Sequence, residues 1–133
     1  KLHDLGKIGV IDAVLKKEGA LNQDEMEMMK RHCEIGEGII KPIRSLKNLC
    51  ELIRHHHEKL DGTGYPDRIK GNAITFLTRI LTVADIYDAL TSERSYRPSF
   101  SSQKAFEELR KMKDQVDQRI VDIFATILKN PPV

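Results

Sequence analysis

Residues 76–90, with the sequence FLTRILTVADIYDAL, decide the fold class of this chain. Their apolar side chains recur at the three- and four-residue steps of a helix and not with the alternation of a strand. One residue conflicts with this apolar character, because Asp85 stands one turn beyond Leu81 and next to Ala84. An inward-facing ionised carboxylate needs a cation or hydrogen-bond donors. Either a metal ion or an arginine such as Arg79 would meet that need.

Polar residues that favour helix starts precede three further segments. Asn22 and Glu25 have the spacing of a capping box, which predicts a helix from there through about position 31. Ser101 or Ser102 is expected to cap a later helix, and Asp117 is expected to cap the last one. These segments predict helices on both sides of residues 76–90.

The intervening segments contain the predicted breaks and loops. Gly36 and Gly38 are expected to break or bend the chain before Pro42 ends that segment. Apolar residues at positions 46, 49, 50 and 53 predict a helix that carries residues 54–57 in its last turns. The glycine-rich residues 58–75 predict a loop. Because no strand pattern is found, we predict an all-α domain.

Composition and charge exclude several classes of protein. The 133 residues suffice for one domain, and 40% hydrophobic and 32% charged residues are ordinary for a soluble protein. Lysine plus arginine (22) nearly balances aspartate plus glutamate (20), so no basic face indicates a nucleic acid polymer as partner. No apolar run approaches the length that spans a membrane. Cys33 and Cys50 form no CxxC pair, which favours ordinary buried thiols and a cytoplasmic location.

Histidines and carboxylates on separate segments carry the functional signal. Each occurrence has an ordinary explanation by itself: a His-Asp pair arises by chance, and histidines such as residues 55–57 complement the dipole at a helix end. Together, imidazoles and carboxylates without thiolates form a ligand set that suits iron, manganese, nickel, cobalt or zinc. We therefore predict a di-metal hydrolase site. The residues concerned are His3, Asp4, His32, His56, His57 and Asp85.

Four stretches resemble the HD-GYP family, a branch of the HD-domain phosphohydrolases. They are HDLGKIG at 3–9, MKRHCEIG at 29–36, HHEKLDGTGYP at 56–66 and RILTVADIYDALTSERSYR at 79–97, and the helix start at Val116-Asp117 matches as well. The resemblance covers essentially the whole chain, so residues 1–133 are assigned to one HD-GYP domain. It implies an HD-domain-like helical bundle and metal-dependent hydrolysis of cyclic di-GMP, a bacterial second messenger.

The resemblance also assigns roles to the metal ligands. It implies two or three divalent transition metal ions, with iron or manganese favoured. Asp4 is implied as the bridging carboxylate. The remaining ligands divide into His32, His56 and His57 for one ion, and His3 and Asp85 for the other.

Substrate contacts are expected from four further residues. The resemblance implies that Lys7 pairs with a non-bridging phosphate oxygen, so Lys7 and Asp4 are the predicted catalytic residues. Arg94 and Arg97 could clamp phosphates or guanines. Tyr65 could stack on a base, or it could pack on its own domain and serve a partner-binding loop.

Two other functions stay open beside the phosphodiesterase. One is a catalytically impaired signalling module whose GYP loop, containing Gly62, Gly64, Tyr65 and Pro66, binds a GGDEF-type cyclase. The other is an HD-type phosphohydrolase of another nucleotide.

The first residues of the chain lead to a further expectation. The chain opens on Lys1 without an initiator methionine, and the family has another ligand histidine on a helix upstream of the His-Asp pair. We therefore expect a domain lacking its N-terminal helices, which binds one ion more tightly than a second and shows little activity alone. A sensor or receiver domain is expected upstream in the parent protein.

Overall fold

The computed structural model describes residues 2–93 and 98–130, and within those ranges it contains helices and no strands, which confirms the all-α prediction. None of the helices in these ranges combines the length and the apolar character needed to cross a membrane. In chain order the α-helices are α1 (Asp12–Leu15), α2 (Gln23–Lys30), α3 (His32–Ile40), α4 (Cys50–His55), α5 (Phe76–Thr91), α6 (Ser102–Lys111) and α7 (Gln118–Lys129), and 3-10 helices span Leu2–Gly9, Arg44–Leu49 and Gly71–Ala73.

The predicted helix caps are confirmed. Asn22 Oδ1 accepts a hydrogen bond from the Glu25 amide at 2.9 Å, and the Asn22 amide donates to Glu25 Oε2 at 2.7 Å, so both halves of the capping box form. The Ser101 side chain accepts an amide hydrogen bond at the start of α6. Asp117 Oδ1 accepts from the Arg119 amide at 3.2 Å at the start of α7. Each cap satisfies a backbone donor that the helix itself leaves without a partner.

The predicted break at Gly36 and Gly38 is wrong, because α3 continues through both residues. The reason lies across the interface with the first 3-10 helix. A Cβ on Gly6 would overlap the carbonyl oxygen of His32 and lie 2.5 Å from the amide nitrogen of Gly36. A Cβ on Gly36 would lie 2.8 Å from the Ile53 side chain. Gly6 and Gly36 therefore allow two backbones to pack closely, which is a use of glycine inside an intact helix.

The predicted helix at positions 46–57 forms in two parts. Its first residues adopt the 3-10 helix Arg44–Leu49, and α4 then ends at His55. His56 and His57 consequently lie just beyond the helix and not within its last turn. Residues 58–75 form the predicted loop, apart from the single 3-10 turn Gly71–Ala73.

An apolar core joins the second half of α5 to α6 and α7, and we call it the aromatic core. Its three rings are those of Tyr87, Phe106 and Phe124, with centroid separations of 5.0, 5.0 and 5.6 Å. Such tilted pairs contribute stability beyond the area they bury. The fully or nearly fully buried members are Val83, Phe106, Leu109, Val116, Ile120, Val121 and Ala125.

A second buried region, which we call the polar region, contains polar side chains beside apolar ones. It lies where the 3-10 helix Leu2–Gly9 packs on α3 and where α4 approaches the start of α5. Buried polar groups need hydrogen-bond partners or ions. The buried polar side chains here are His32, His56, Glu58, Thr78 and Thr82.

Candidate metal centre

The six predicted ligand side chains come together in the polar region, and we call them the histidine cluster. Asp85 lies at its centre, with Oδ1 at 3.3 Å from His3 Nε2 and Oδ2 at 3.9 Å from His57 Nδ1. Four separate segments of chain therefore meet at one site. The cluster consists of His3 and Asp4 on the first 3-10 helix, His32 at the start of α3, His56 and His57 after α4, and Asp85 in α5.

Two buried imidazoles in the cluster present bare nitrogens to each other. His32 Nδ1 lies 2.7 Å from the carbonyl oxygen of Met29, and His56 Nδ1 lies 2.8 Å from that of Ile53. A carbonyl oxygen can only accept, so both Nδ1 atoms carry the hydrogen. In the neutral rings Nε2 then has a lone pair and no proton. The two Nε2 atoms are 3.3 Å apart.

Burial keeps these rings neutral. It lowers the pKa of His32, lowers that of His56 to about 4, and lowers that of His57 to about 2 with help from the neighbouring imidazoles. No proton is therefore available near neutral pH to join His32 Nε2 to His56 Nε2.

The facing lone pairs fit a metal ion. Two lone pairs at 3.3 Å repel each other unless a cation lies between or beside them. Nitrogens bound to one ion at about 2.1 Å are separated by about 3.0 to 3.4 Å, depending on coordination number. Hydrogen-bonded Nδ1–H groups are also the usual outer support of metal-binding histidines. The donor set and its spacing therefore suit a divalent transition metal.

Asp4 stands between the two parts of the cluster. Its Oδ1 lies 3.7 Å from His32 Nε2, and its Oδ2 lies 3.6 Å from His3 Nε2. Lys7 Nζ is 2.8 Å from Oδ1. Burial opposes ionisation of Asp4, but the hydrogen bond from Lys7 and the nearby His3 together hold the pKa of its carboxyl below the usual value. An ionised carboxylate with one oxygen towards each group has the geometry of a bridging ligand.

The grouping of ligand atoms differs in two respects from the predicted division. His56 belongs to two groups, one with His32 and His57 and one with His3 and Asp4, and the ligand atoms within each group lie within 4.8 Å of one another. Asp85 likewise approaches both His3 and His57. Spacing along the sequence does not show that His56 lies close to ligand atoms of both groups.

Sequence reasoning missed Cys33 as a member of the first group. Its Sγ lies 3.5 Å from His32 Nε2, and its side chain is completely buried. Burial raises the pKa of the Cys33 thiol to about 12. The available signal was its position next to His32, but adjacent residues on a helix usually point in different directions.

The proposed arginine partner of Asp85 is wrong. Arg79 instead donates to the carbonyl oxygens of Ile74 at 2.9 Å and Gly71 at 3.0 Å. Its ion pair is with Asp117, at 3.3 Å. Arg79 therefore connects the start of α5 to the cap of α7 and leaves Asp85 to the histidines.

Glu58 belongs to the His56-His57-Glu58 cluster of the sequence but was assigned no role from it, and it holds the following loop in place. Its side chain is buried, and Oε1 accepts hydrogen bonds from the amides of Asp67 at 2.7 Å and Arg68 at 2.8 Å. Arg68 has a positive φ of 55°, so this contact stabilises an unusual backbone conformation. The signal available was the Glu of the HHE triplet.

The loop fixed in this way brings Tyr65 onto the cluster. A Cβ on Gly64 would lie 2.5 Å from the carbonyl oxygen of His57, so only glycine allows this approach. The Tyr65 amide donates to the same oxygen at 3.3 Å, and its ring centroid is 4.9 Å from that of His57. Lys30 Nζ lies 5.6 Å from the centroid of the Tyr65 ring. Burial raises the pKa of the Tyr65 hydroxyl. Tyr65 thus packs on its own domain at the edge of the cluster.

The fifth histidine has a structural partner. His55 Nε2 lies 2.7 Å from Asp67, which also receives two hydrogen bonds from Arg54 at 2.6 and 2.8 Å. The Arg54 guanidinium holds the pKa of the Asp67 carboxyl well below its usual range. A solvated helix end therefore does not describe His56, which is fully buried, and the His55 side chain is paired with Asp67. Arg94 and Arg97, the other predicted substrate contacts, lie outside the described residues.

Comparisons with known proteins give the family. The model of the HD domain family matches residues 1–120. The chain is 45% identical over 78% of its length to the 3'3'-cGAMP-specific phosphodiesterase 3 of Vibrio cholerae, and 41% identical over 91% to the cyclic di-GMP phosphodiesterase response regulator RpfG of Xanthomonas campestris. It is 37% identical over 96% to a cyclic di-GMP phosphodiesterase of Thermotoga maritima.

The chain spans 23%, 33% and 36% of the lengths of these three relatives. Metal dependence is a property of HD-domain phosphodiesterases, and the histidine cluster provides suitable ligands. The matched family model and the relatives confirm the identification made from the sequence motifs. This chain belongs to the HD-domain family, in the branch that contains the HD-GYP cyclic-dinucleotide phosphodiesterases.

Proposed function

We propose that residues 1–133 form one HD-GYP domain that hydrolyses cyclic di-GMP with the help of bound metal ions. The observation that carries this proposal is the pair of bare Nε2 atoms of His32 and His56, 3.3 Å apart beside the Asp4 carboxylate. The names of the relatives from Xanthomonas campestris and Thermotoga maritima supply the substrate. The proposed setting is cytoplasmic bacterial signalling, in a longer protein with a sensor or receiver domain.

Two ions are proposed, with iron or manganese as the metal. The nitrogen and carboxylate ligands suit both metals. The metal ligands are His3, Asp4, His32, His56, His57 and Asp85. When bound, such a pair supplies the Lewis acidity that polarises a phosphodiester and lowers the pKa of an attacking water.

The chain's own polar groups bind and orient the substrate in this proposal. The ammonium of Lys7 is partly exposed and already attracted to the Asp4 carboxylate, 2.8 Å away, so it stands where a phosphate beside Asp4 would be neutralised. Tyr65 closes one edge of the cluster through its contact with His57 and would bound the site on that side. Arg94 and Arg97 are proposed to contact phosphate or guanine.

A second candidate substrate is 3'3'-cGAMP. The observation that favours it is the 45% identity to a relative named as specific for that dinucleotide. Both substrates contain the same pair of phosphodiesters, so the histidine cluster serves either one. Discrimination would depend on contacts to the bases.

The GYP loop is proposed to bind GGDEF-type domains in addition. Residues of this loop line one side of a groove of about 420 Å³, whose other side is formed by α2 and α3. If the cluster were inactive, this surface would make the protein a non-catalytic signalling module. The loop residues lining the groove are Gly62, Thr63, Gly64, Tyr65, Pro66 and Arg68.

The test is hydrolysis of the two dinucleotides side by side. Protein loaded with iron or manganese is incubated with cyclic di-GMP or 3'3'-cGAMP, and the products are separated by chromatography. We expect the longer protein that contains this domain to cleave cyclic di-GMP, and Asp4→Asn to remove the activity. Faster cleavage of 3'3'-cGAMP would favour the second substrate. Full metal loading with no cleavage of either dinucleotide would contradict the phosphodiesterase and favour the signalling module.

A further inference from the structure

The thiol of Cys33 lies inside the histidine cluster and has no role in the function proposed above. Its Sγ is 3.5 Å from His32 Nε2. With His32, His56 and His57 it forms a group whose four ligand atoms all lie within 4.8 Å of one another. The group is shielded from solvent, because Cys33 and His56 are 0% exposed and His32 is 1% exposed.

The nitrogens of this group point independently to a ligand. His32 and His56 direct bare Nε2 lone pairs at each other, since their Nδ1–H groups are committed to Met29 and Ile53. The Cys33 sulfur lies beside these two nitrogens. A cation that relieves the repulsion between the two nitrogens is therefore within reach of the thiol.

The spacing also suits a shared ion. Sulfur and nitrogen bound to one ion at about 2.3 and 2.1 Å are separated by about 3.1 to 3.6 Å. The observed 3.5 Å between Cys33 Sγ and His32 Nε2 falls in that range. Cys33 and His32 therefore already have the separation of two ligands on one ion.

We propose that Cys33 is a thiolate ligand of the ion held by His32, His56 and His57. The inference rests on the metal centre in the proposed function and adds a sulfur donor to its nitrogen and oxygen donors. On coordination the S–H bond breaks, its proton passes to solvent and a sulfur–metal bond forms. A soft thiolate favours iron, zinc or cadmium over manganese, so Cys33 would widen the preference for iron over manganese that nitrogen and oxygen donors already show.

Cadmium and cobalt are the probes for this bond. Each ion is titrated into the metal-free protein, and the thiolate-to-metal charge-transfer absorption is recorded for wild type, Cys33→Ser and Cys33→Ala. Cys50→Ser is the matched control, because Cys50 is the other free cysteine and is not a member of the cluster. Circular dichroism establishes that each variant is folded.

We expect the charge-transfer band in wild type and in Cys50→Ser, and its loss in both Cys33 variants. Cadmium affinity should fall by about tenfold or more in Cys33→Ser, while manganese affinity changes less. Wild-type protein that binds the ions without the band would overturn the thiolate ligand and leave the histidine centre intact. Absence of any binding would overturn the ligand and the metal centre together.

Cadmium NMR of the wild-type protein tests the inference without any substitution. A sulfur ligand shifts the cadmium resonance downfield of a site made from nitrogen and oxygen alone. We expect the downfield position for the ion in the three-histidine group. A resonance at the position typical of nitrogen and oxygen ligands would refute the role of Cys33, whatever the phosphodiesterase assay shows.

Discussion

The aromatic core and the histidine cluster are both buried, but they are held together by different forces. In the aromatic core, Phe106 packs between Tyr87 and Phe124, and the neighbouring aliphatic side chains complete the contacts. Burial of apolar area is favourable without any further partner. In the histidine cluster, the His32 and His56 nitrogens meet as two acceptors with no hydrogen between them.

The difference concerns what each region requires to be stable. The aromatic core is complete with the protein's own side chains. In the metal-free histidine cluster, the folded state holds groups that repel one another, which lowers its stability. A bound cation removes this repulsion. We therefore expect metal ions to stabilise the cluster strongly and to affect the aromatic core little. Four predictions test this contrast, in order of decreasing expected effect.

The largest effect is expected from Asp4→Ala. The loss of the carboxylate between His3 and His32 leaves two cations facing each other without an intervening anion. We expect the pair of ions to be lost and turnover to fall by about a thousandfold or more. Elemental analysis and a cyclic di-GMP assay measure the two effects. Asp12→Ala, which removes an exposed carboxylate paired with Lys16, is the control and should change neither. Two bound ions in Asp4→Ala would refute the bridging role.

Phe106→Ala tests the other side of the comparison. Truncation of a buried phenylalanine creates a cavity and should lower the free energy of unfolding by about 3 to 5 kcal/mol. Metal affinity of the folded protein should stay unchanged, because Phe106 packs on Tyr87 and Phe124 and belongs to neither group of ligand atoms. Urea denaturation and metal titration measure these quantities. Phe76→Ala, at a residue that is 60% exposed, should cost at most about 0.5 kcal/mol. A parallel loss of metal affinity in Phe106→Ala would contradict the independence of the two regions.

Acid should destabilise the metal-free protein through the histidine cluster. Burial lowers the pKa of His56 from 6.5 to about 4, so the unfolded chain binds a proton in this window that the folded chain does not. Stability is therefore highest above pH 6.5 and falls as the pH drops towards 4, by about 3 kcal/mol for this group.

Urea denaturation of chelated protein at a series of pH values measures this loss. His56→Asn removes the titrating ring and should flatten the profile between these limits. An equal slope in wild type and His56→Asn would show that His56 is not the source. Bound metal should not flatten the wild-type profile, because occupied lone pairs keep the ring unprotonated in the folded state while the unfolded chain still takes up the proton.

The smallest effect is expected from Lys7→Ala. Its ammonium is proposed to contact phosphate and not the ions, so turnover should fall by about ten- to a thousandfold while metal content is retained. Lys16→Ala, which removes an exposed lysine just after α1, is the matched control. A loss of metal in step with turnover would identify Lys7 as a support for Asp4, to which it is bonded at 2.8 Å.

Local signals made the helices predictable from the sequence. The side chains of Asn22 and Glu25 each accept a hydrogen bond from the other residue's backbone amide. Their capping box therefore depends on no distant residue. Gly36 was misinterpreted because its role depends on Gly6, thirty positions away. A glycine that breaks a helix and a glycine that admits a neighbouring backbone look the same in a sequence.

The candidate site was predictable as a set of residues but not as an arrangement. The family motifs identified the six side chains that converge, and their roles as ligands stay predictions. Contacts between segments place His56 in both ligand groups and bring Cys33 close to His32. They also account for the hydrogen bond from the loop to Glu58. Arg79 shows the same limit, because its partner Asp117 lies 38 positions along the chain.

Gly6 determines how precisely the distances between the metal ligands are fixed. Because no side chain stands between it and the backbone of α3, the separation of Asp4 from His32 is set by peptide planes in direct contact. Peptide planes have fixed dimensions, whereas packed side chains can change rotamer or be exchanged for others of different size. Substitutions elsewhere on the two helices can therefore accumulate without altering this separation. The close backbone contact at position 6 thus fixes the positions of the ligands on the two helices relative to each other.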